Sequence, residues 1–466
     1  MSFSDKYTKT FKYLLPTPFT IAVVLTLLTF FIVLFTTKPI NSGFAAYSYD
    51  VLYFWEQGFW DNGLLVFAVQ MMLMLVLGHI LALTKLFNSL ILMVVKHCTT
   101  TAKAAFLVTL LTVLVSLFNW GLGLIFGAIF ARKVGEYAQQ QQLSINYPLI
   151  GAAGYSGLMV WHGGFSGSSL AKVAEDNHIK EMMAGIFNEA QLVALPEKIS
   201  YAETVWSPMN IVVMIMVIVM LPLAMFWLGK RITSATFTLT TPCYNETEKV
   251  DFTTLEGAEK LDYSRLFSLL FGGAILCYLV VKIVTVHHFN VLDFFTPNNI
   301  NMLLLGLGIT LHKNFTEFLS ALDEAILGAA GILIQFPLYF GIMGMMKNSG
   351  LIADIADFFV SISNTVTYPI YTFFSAGLIN VFVPSGGGQW AVQGPIIVQA
   401  AQEIGISLPK SILALAYGDQ LTNMLQPFWA LPLLGITGLK AKEILPYTLF
   451  LMLVGLIIFV SCLLIF

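Results

Sequence analysis

The residues of this chain that could bind a ligand lie inside its apolar stretches. "NVFVPSGGGQWAVQGP", residues 380–395, falls in a run from Phe358 to Gln402 that carries no Asp, Glu, Lys or Arg. Pro384 ends one helix, the glycines permit a turn, and a second helix begins near Gln389. Because free amides and the positive end of the helix dipole face such a turn, it suits an anion. We expect substrate contacts from Ser385, Gly386, Gly387, Gly388 and Gln389.

A second turn with similar chemistry lies in the first half of the chain. "NWGLG", residues 119–123, is at the centre of the charge-free run from Ala104 to Ala131. The amide of Asn119 could donate to a carboxylate or accept from it. Glycines here could equally be notches at which membrane helices approach one another. We expect Asn119, Gly121 and Gly123 to face the same substrate.

Two further interruptions combine hydroxyl, amide and carboxyl groups. "GGFSGSS", residues 163–169, would be an unwound segment that offers the hydroxyls of Ser166 and Ser168 to the substrate. "GDQLTNMLQP", residues 418–427, holds Asp419, the one charged residue between Lys410 and Lys440. A carboxylate inside a membrane is costly and usually functional, although a structural ion pair near one surface is the alternative. The predicted coupling-ion ligands are Asp419, Thr422, Asn423 and Asn380.

The coupling cation could be sodium or a proton. Sodium would use the hydroxyl, amide and carbonyl oxygens of the unwound segments, which the sequence slightly favours, whereas a proton would need the carboxylate. No other metal and no cofactor is expected, because the four cysteines lack paired spacing. His162 beside Trp161 is more typical of packing. An intramembrane serine hydrolase built on His162, Ser166 and Asp419 is disfavoured, because His162 lies only four residues from Ser166.

The elements that must position these residues are membrane helices. Of 466 residues, 57% are hydrophobic and 11% charged, against about 25% charged in soluble domains. Apolar runs near 18–37, 62–84, 205–228, 265–286 and 445–466 approach the roughly 20 residues that span a bilayer. We therefore expect an all-α polytopic protein of the inner membrane, with no soluble domain, no nucleic-acid partner and a retained, cytoplasmic N-terminus.

The order of interruptions predicts an internal repeat. Gln70 precedes Asn119 by 49 residues, and Gln335 precedes Asn380 by 45. Paired interruptions in two halves are typical of secondary transporters. The predicted organisation is a first repeat over 1–229 with a hairpin near 104–131 and a broken helix near 148–172, a cytoplasmic linker over 230–262, and a second repeat over 263–466 with a hairpin near 368–400 and a broken helix near 410–436.

The charges beside the two hairpins predict their sidedness. Basic residues flank the first hairpin on both sides, whereas Asp354 and Asp357 precede the second, and Glu403 and Lys410 follow it without a basic cluster. By the positive-inside rule the first hairpin enters from the cytoplasm and the second from outside. Arms of roughly 21 Å would pass the midplane without spanning it; one long tilted span is the alternative. The prediction is two inverted repeats, about nine crossings, two re-entrant hairpins, and a single carboxylate site between the tips.

Four motifs carry a resemblance to a known family. "FNWGLGLIFGAIFAR", "WHGGFSGS", "VPSGGGQWAVQGP" and "AYGDQLTNMLQPFWALP" resemble the bacterial short-chain fatty acid transporters of the acetoacetate and butyrate uptake type, part of the ion-transporter superfamily. The resemblance implies a small monocarboxylate substrate, a homodimer and elevator-type alternating access. Symport is the expected function; a carboxylate channel or exchanger is the alternative.

Overall fold

The chain is helical. Its described residues contain no β-strand, and an isolated β-bridge joins Ala184 and Phe187. A computed structural model describes residues 17–184, 186–232, 239, 257–286, 294 and 296–466. The all-α prediction is confirmed. Most of the predicted linker over 230–262, and nearly all of the basic N-terminal segment, lie outside the described residues.

The first half of the chain contains eleven helices in its described residues. Their bounds are α1 Pro18–Thr36, α2 Phe44–Phe59, α3 Asn62–Leu83, α4 Lys85–Val95, α5 Thr101–Phe118, α6 Trp120–Gln140, α7 Tyr147–Tyr155, α8 Ser168–Val173, α9 His178–Met183, α10 Glu189–Ala194 and α11 Pro208–Arg231. The three short helices from α8 to α10 separate the α5–α7 group from α11.

The second half of the chain has a similar succession of helices. Their bounds are α12 Glu259–Asp262, α13 Arg265–Thr285, α14 Pro297–Leu311, α15 Phe315–Ala325, α16 Ala330–Asn348, α17 Leu351–Ser361, α18 Tyr368–Phe382, α19 Gly386–Ile404, α20 Leu408–Thr422, α21 Pro427–Thr437 and α22 Ala441–Ile465. Among the described residues, seven helices are long and apolar enough to cross a membrane: α1, α3, α5, α11, α13, α16 and α22. The chain is therefore a multi-pass membrane protein, and the count of nine crossings stays a prediction.

Helices α5 and α6 form an antiparallel hairpin that turns at Asn119. The backbone of Asn119 is extended there, with φ −150° and ψ 125°, and its side chain accepts from the Leu122 amide. Gly123 lies against Ser116, and one turn further along, Gly127 lies near Thr112. The arms can lie this close because glycine has no Cβ.

The helix that follows this hairpin is interrupted. Helix α7 ends at Tyr155 and continues as a 3-10 turn over Ser156–Met159. Residues 160–167 form turns and bends, and α8 begins at Ser168. Backbone groups in this segment, called the first break below, need partners from outside the helix because lipid offers none.

The second half repeats this order of hairpin and interrupted helix. Helices α18 and α19 are joined at residues 383–385 and linked across their arms by hydrogen bonds from Gln393 Nε2 to Ser375 Oγ (2.9 Å) and from the Tyr368 hydroxyl to the Ile397 carbonyl (2.9 Å). Helix α20 then passes into a 3-10 turn over Asn423–Leu425, and α21 begins at Pro427. Residues 423–426 are called the second break below. Its 3-10 turn contacts the 3-10 turn over Ser156–Met159 that precedes the first break.

Two groups of helices each pack mainly within themselves. One comprises α1–α3 and α13–α16, where α2 crosses α16 at close range through Gly58 and Gly344. The other comprises α5–α7, α11 and α18–α22, and it contains both hairpins and both breaks. The groups meet where α3 packs on α6 and α16 packs on α21. All of the predicted site residues belong to the second group except Ser168, which begins α8, a helix that packs on α19 and α20.

Close packing of the first hairpin on α7 predicts a stability effect. A Cβ at Gly127 would lie 2.1 Å from the Gly154 carbonyl oxygen, which is backbone and cannot move aside. Gly127→Ala should therefore lower the stability by about 1–3 kcal/mol. Gly273→Ala is the matched control, because no heavy atom lies within 4 Å of that Cβ. The effect is measured as the loss of the size-exclusion peak after the detergent-purified variants are heated to a series of temperatures. Equal stability of the two variants would contradict this packing.

Candidate substrate and coupling site

The tip of the first hairpin is anchored to the first break. The Trp120 amide, which begins α6, donates to Ser166 Oγ at 3.0 Å. The Phe165 amide donates to the Leu117 carbonyl at 3.1 Å. These bonds satisfy backbone groups at the end of α5, at the start of α6 and in the unwound segment between α7 and α8.

The tip of the second hairpin lies on the same break from the other side. A Cβ at Gly386 would lie 2.8 Å from the Trp161 ring and 2.9 Å from the His162 ring. A Cβ at Gly387 would lie 4.0 Å from the Ser168 Cβ, and Gly387 is exposed. As the first residues of α19, Gly386 and Gly387 have amides with no acceptor inside the helix. The structure thus brings an anion-suited helix end to Ser168.

Side chains of α11 and α20 satisfy the backbone of the first break. Gln420 Oε1 accepts from the amides of His162 and Gly163, both at 3.1 Å. Asn210 Nδ2 donates to the Gly163 carbonyl at 2.9 Å, and the Tyr417 hydroxyl donates to Asn210 Oδ1 at 2.8 Å. Because these groups are buried, the unwound geometry is fixed by α11 and α20.

Asp419 lies next to His162 in the interior. Its Oδ2 is 3.4 Å from His162 Nδ1, and the two side chains are 1% and 0% exposed. On the other side of the ring, Nε2 is 2.9 Å from Ser169 Oγ and 3.2 Å from the Ser169 amide. The predicted partner in the hydrolase alternative was Ser166, which instead binds the Trp120 amide. The Ser169 hydroxyl is fully buried, so it holds His162 and offers no face to an acyl substrate.

The other three predicted coupling residues form a separate cluster with the backbone of Asp419. Asn380 Nδ2 donates to the Asp419 carbonyl (2.7 Å), to Thr422 Oγ1 (2.9 Å) and to Asn423 Oδ1 (2.8 Å). The Gln426 side chain donates to the Asn380 carbonyl. This cluster links the first arm of the second hairpin to the second break.

The remaining predicted residues occupy distinct positions around the tips. Ser385 Oγ accepts from the Gly388 amide at 3.1 Å and so caps α19. Gln389 Nε2 donates to the Ala376 carbonyl between the two arms. Gly121 packs near the Met74 sulfur, and Gly123 packs against Ser116 within the hairpin. Their contacts within the chain are structural, and their roles toward substrate stay predictions.

Four buried polar residues that hold the first break are not among the residues predicted for the site: His162, Ser169, Asn210 and Gln420. The packing role expected of His162 stays a prediction. The signal for Gln420 was its position directly after Asp419 in an apolar segment. Nothing in the local sequence shows that Asn210, within the apolar α11, bonds to Gly163.

Aromatic side chains form a wall beside the two tips. The ring centroids of Trp120 and Trp429 are 5.2 Å apart, and those of Trp120 and Trp161 are 5.8 Å apart. Phe67 on α3 packs on both Trp120 and Trp429. The wall therefore joins the first hairpin, the first break, α21 and the other group of helices, and it places apolar side chains close to the polar tip.

Comparison with known proteins places this chain in a family. The family model described as short chain fatty acid transporter matches residues 2–466. A protein of Escherichia coli K12 is 36% identical over 453 residues, covering 96% of this chain and 95% of the relative. A protein of Haemophilus influenzae is 35% identical over 443 residues, covering 94% and 93%. Both carry the name "Putative short-chain fatty acid transporter".

Two solved transporter structures are distantly similar. They are the YdaH transporter of Alcanivorax borkumensis (TM-score 0.41, 14% identity, 96% of this chain and 98% of that chain) and the efflux pump MtrF of Neisseria gonorrhoeae (TM-score 0.39, 15% identity, 97% of each chain). The family assignment follows from the full-length match and the two relatives: this chain belongs to the short-chain fatty acid transporter family, a family of transporters and not of enzymes.

Proposed function

We propose that this protein is a secondary active transporter that carries small monocarboxylates, such as butyrate and acetoacetate, together with a cation. The observation that carries the proposal is the meeting of the Gly386–Gly387 helix end with the first break beside Ser168. Free amides there can bind a carboxylate. The adjacent tryptophan wall suits a short alkyl chain, because burying each methylene contributes roughly 0.8 kcal/mol.

The need for a co-transported cation follows from the negative charge of the substrate. A carboxylate that enters a water-poor site loses its hydration, and this costs several kcal/mol unless a positive charge or a proton accompanies it. Asp419 lies 3.4 Å from the position of a Cβ at Gly386, so substrate at that tip would meet a second carboxylate. A co-transported cation removes this repulsion, which supports a symporter over a channel.

The proposal extends to the movement of the protein. The helix group that contains both hairpins would carry the substrate, and the group formed by α1–α3 and α13–α16 would stay fixed in the bilayer. The homodimer, the inner-membrane location and the cytoplasmic N-terminus belong to the same proposal. It is supported by the packing of the chain into two groups and by the family resemblance.

Transport should be driven by a cation gradient. Proteoliposomes should accumulate labelled butyrate and acetoacetate above the external concentration when an inward sodium or proton gradient is imposed, each gradient being tested separately. Protein-free liposomes are the control, because protonated short acids cross bilayers unaided. Uptake that equilibrates and ignores both gradients would favour a channel, and uptake that needs internal carboxylate would favour an exchanger.

The two hairpins should open to opposite sides of the membrane. Thr99 and Thr365 are exposed residues before the first and second hairpins, and each is replaced by cysteine in a cysteine-free background. An impermeant maleimide added to intact cells should label Thr365→Cys and spare Thr99→Cys, which should react only after permeabilisation. The same labelling pattern at both positions would contradict inverted repeats.

A further inference from the structure

The buried row Ser169–His162–Asp419 joins the two repeats and has a fixed polarity. A backbone amide can only donate, so the Ser169 amide at 3.2 Å requires a lone pair on His162 Nε2. The neutral ring then carries its hydrogen on Nδ1. That atom faces Asp419 Oδ2 at 3.4 Å, which is long for a hydrogen bond.

This arrangement determines which group takes an added proton. A doubly protonated imidazole would direct an Nε2 hydrogen at the Ser169 amide, where two donors would oppose each other. Both oxygens of the buried Asp419 lack a hydrogen bond in the described structure. An uncompensated buried carboxylate is costly, and protonation removes the charge. The lone pair of His162 Nε2 is thus already occupied by Ser169, whereas both oxygens of the Asp419 carboxyl have room for a hydrogen.

Within the described residues Asp419 has one ion-pair partner, His162. Tyr417 reaches the same break, and its hydroxyl is bound to Asn210. The other charged side chains on α8, α19, α20 and α22 that pack around this region lie near helix ends, and none of them is buried: Lys172, Glu403, Lys410, Lys442 and Glu443.

The surroundings of Asp419 favour a proton over sodium. A sodium ion needs several oxygen ligands, whereas the carboxylate faces the imidazole and Gly386. The side-chain oxygens of Thr422 and Asn423 already accept from Asn380 Nδ2 at 2.9 and 2.8 Å. Gly386 connects the carboxyl to the substrate tip, because its Cβ position is 3.4 Å from Asp419 Oδ2. The charge state of Asp419 thus acts directly on a bound carboxylate.

We propose that Asp419 binds the one proton that accompanies each substrate carboxylate, with His162, held by Ser169, as its positioning residue. The inference rests on the proposed function and names its cation. Substrate binds the protonated form, because two adjacent carboxylates would repel each other. The carboxyl releases its proton to the cytoplasmic side after the substrate has left. Loading and release therefore move one proton and one carboxylate together.

Calorimetric titration of the purified protein with butyrate, in buffers of different ionisation enthalpy, counts the protons taken up. The wild type should take up one proton per butyrate where Asp419 is ionised in the free protein, and there its affinity should fall about tenfold per pH unit. Asp419→Asn should bind butyrate with no proton uptake and no pH dependence. In proteoliposomes that variant should keep butyrate exchange and lose proton-driven accumulation.

Glu324→Gln is the matched control, because Glu324 forms the other histidine–carboxylate pair, 3.5 Å from His79, outside the hairpin group. It should retain the wild-type proton count. His162→Leu removes the Nδ1 atom that faces the Asp419 carboxyl, so the midpoint of the pH profile of butyrate affinity should shift from its wild-type value. His162→Gln, which keeps an N–H donor, should restore it. A merely structural histidine would change affinity without moving the midpoint.

Each failure has a distinct signature. Butyrate binding by the wild type without proton uptake, or accumulation driven by sodium alone, would overturn the proton assignment and leave the carboxylate transporter standing. Proton uptake by Asp419→Asn would show that another group carries the proton. Absence of any carboxylate binding or transport by the wild type would overturn the proposed function together with this inference.

Discussion

The site depends on one constraint: backbone amides that leave a helix inside a membrane must find protein partners. In the first break this partner is Gln420, whose single oxygen accepts from the amides of His162 and Gly163. An unsatisfied group at this depth would cost several kcal/mol. Because Gln420 follows Asp419 on α20, the bond that stabilises the break also sets the carboxyl beside His162. The same turn of α20 therefore supports the backbone of the first break and positions the buried carboxyl of Asp419.

The two halves of the chain support each other's interruptions. Side chains of α20 hold the first break, and in return the Tyr155 hydroxyl on α7 donates to the Asn423 carbonyl at 2.8 Å in the second. The tip of the second hairpin also lies on the first half, since Gly386 packs on Trp161 and His162. The tip of the first hairpin is held within its own half, where Ser166 accepts from the start of α6. Both tips therefore meet at the first break.

Much of this architecture could be predicted from the sequence, because Pro, Gly and Ser in uncharged runs have few uses inside a membrane. The turns at Asn119 and Ser385 and the interruptions near residues 163 and 423 are visible in the residues themselves. The partners of the first break were not, because Asn210 and Gln420 reach Gly163 and His162 from helices distant in sequence. The packing of Gly123 against Ser116 could not be predicted either. The sequence alone does not distinguish a glycine that lines a binding site from one that lets two membrane helices approach.

Cross-linking of the second hairpin to the first break tests the central claim most directly. Ser168→Cys and Gly387→Cys, combined in a background without native cysteines, should form a disulfide, because their Cβ positions are 4.0 Å apart and disulfides need about 3.5–4.5 Å. Oxidation should stop carboxylate uptake, reduction should restore it, and butyrate should slow the cross-linking. Failure to cross-link, or normal uptake by the cross-linked protein, would show that this contact is not the substrate site.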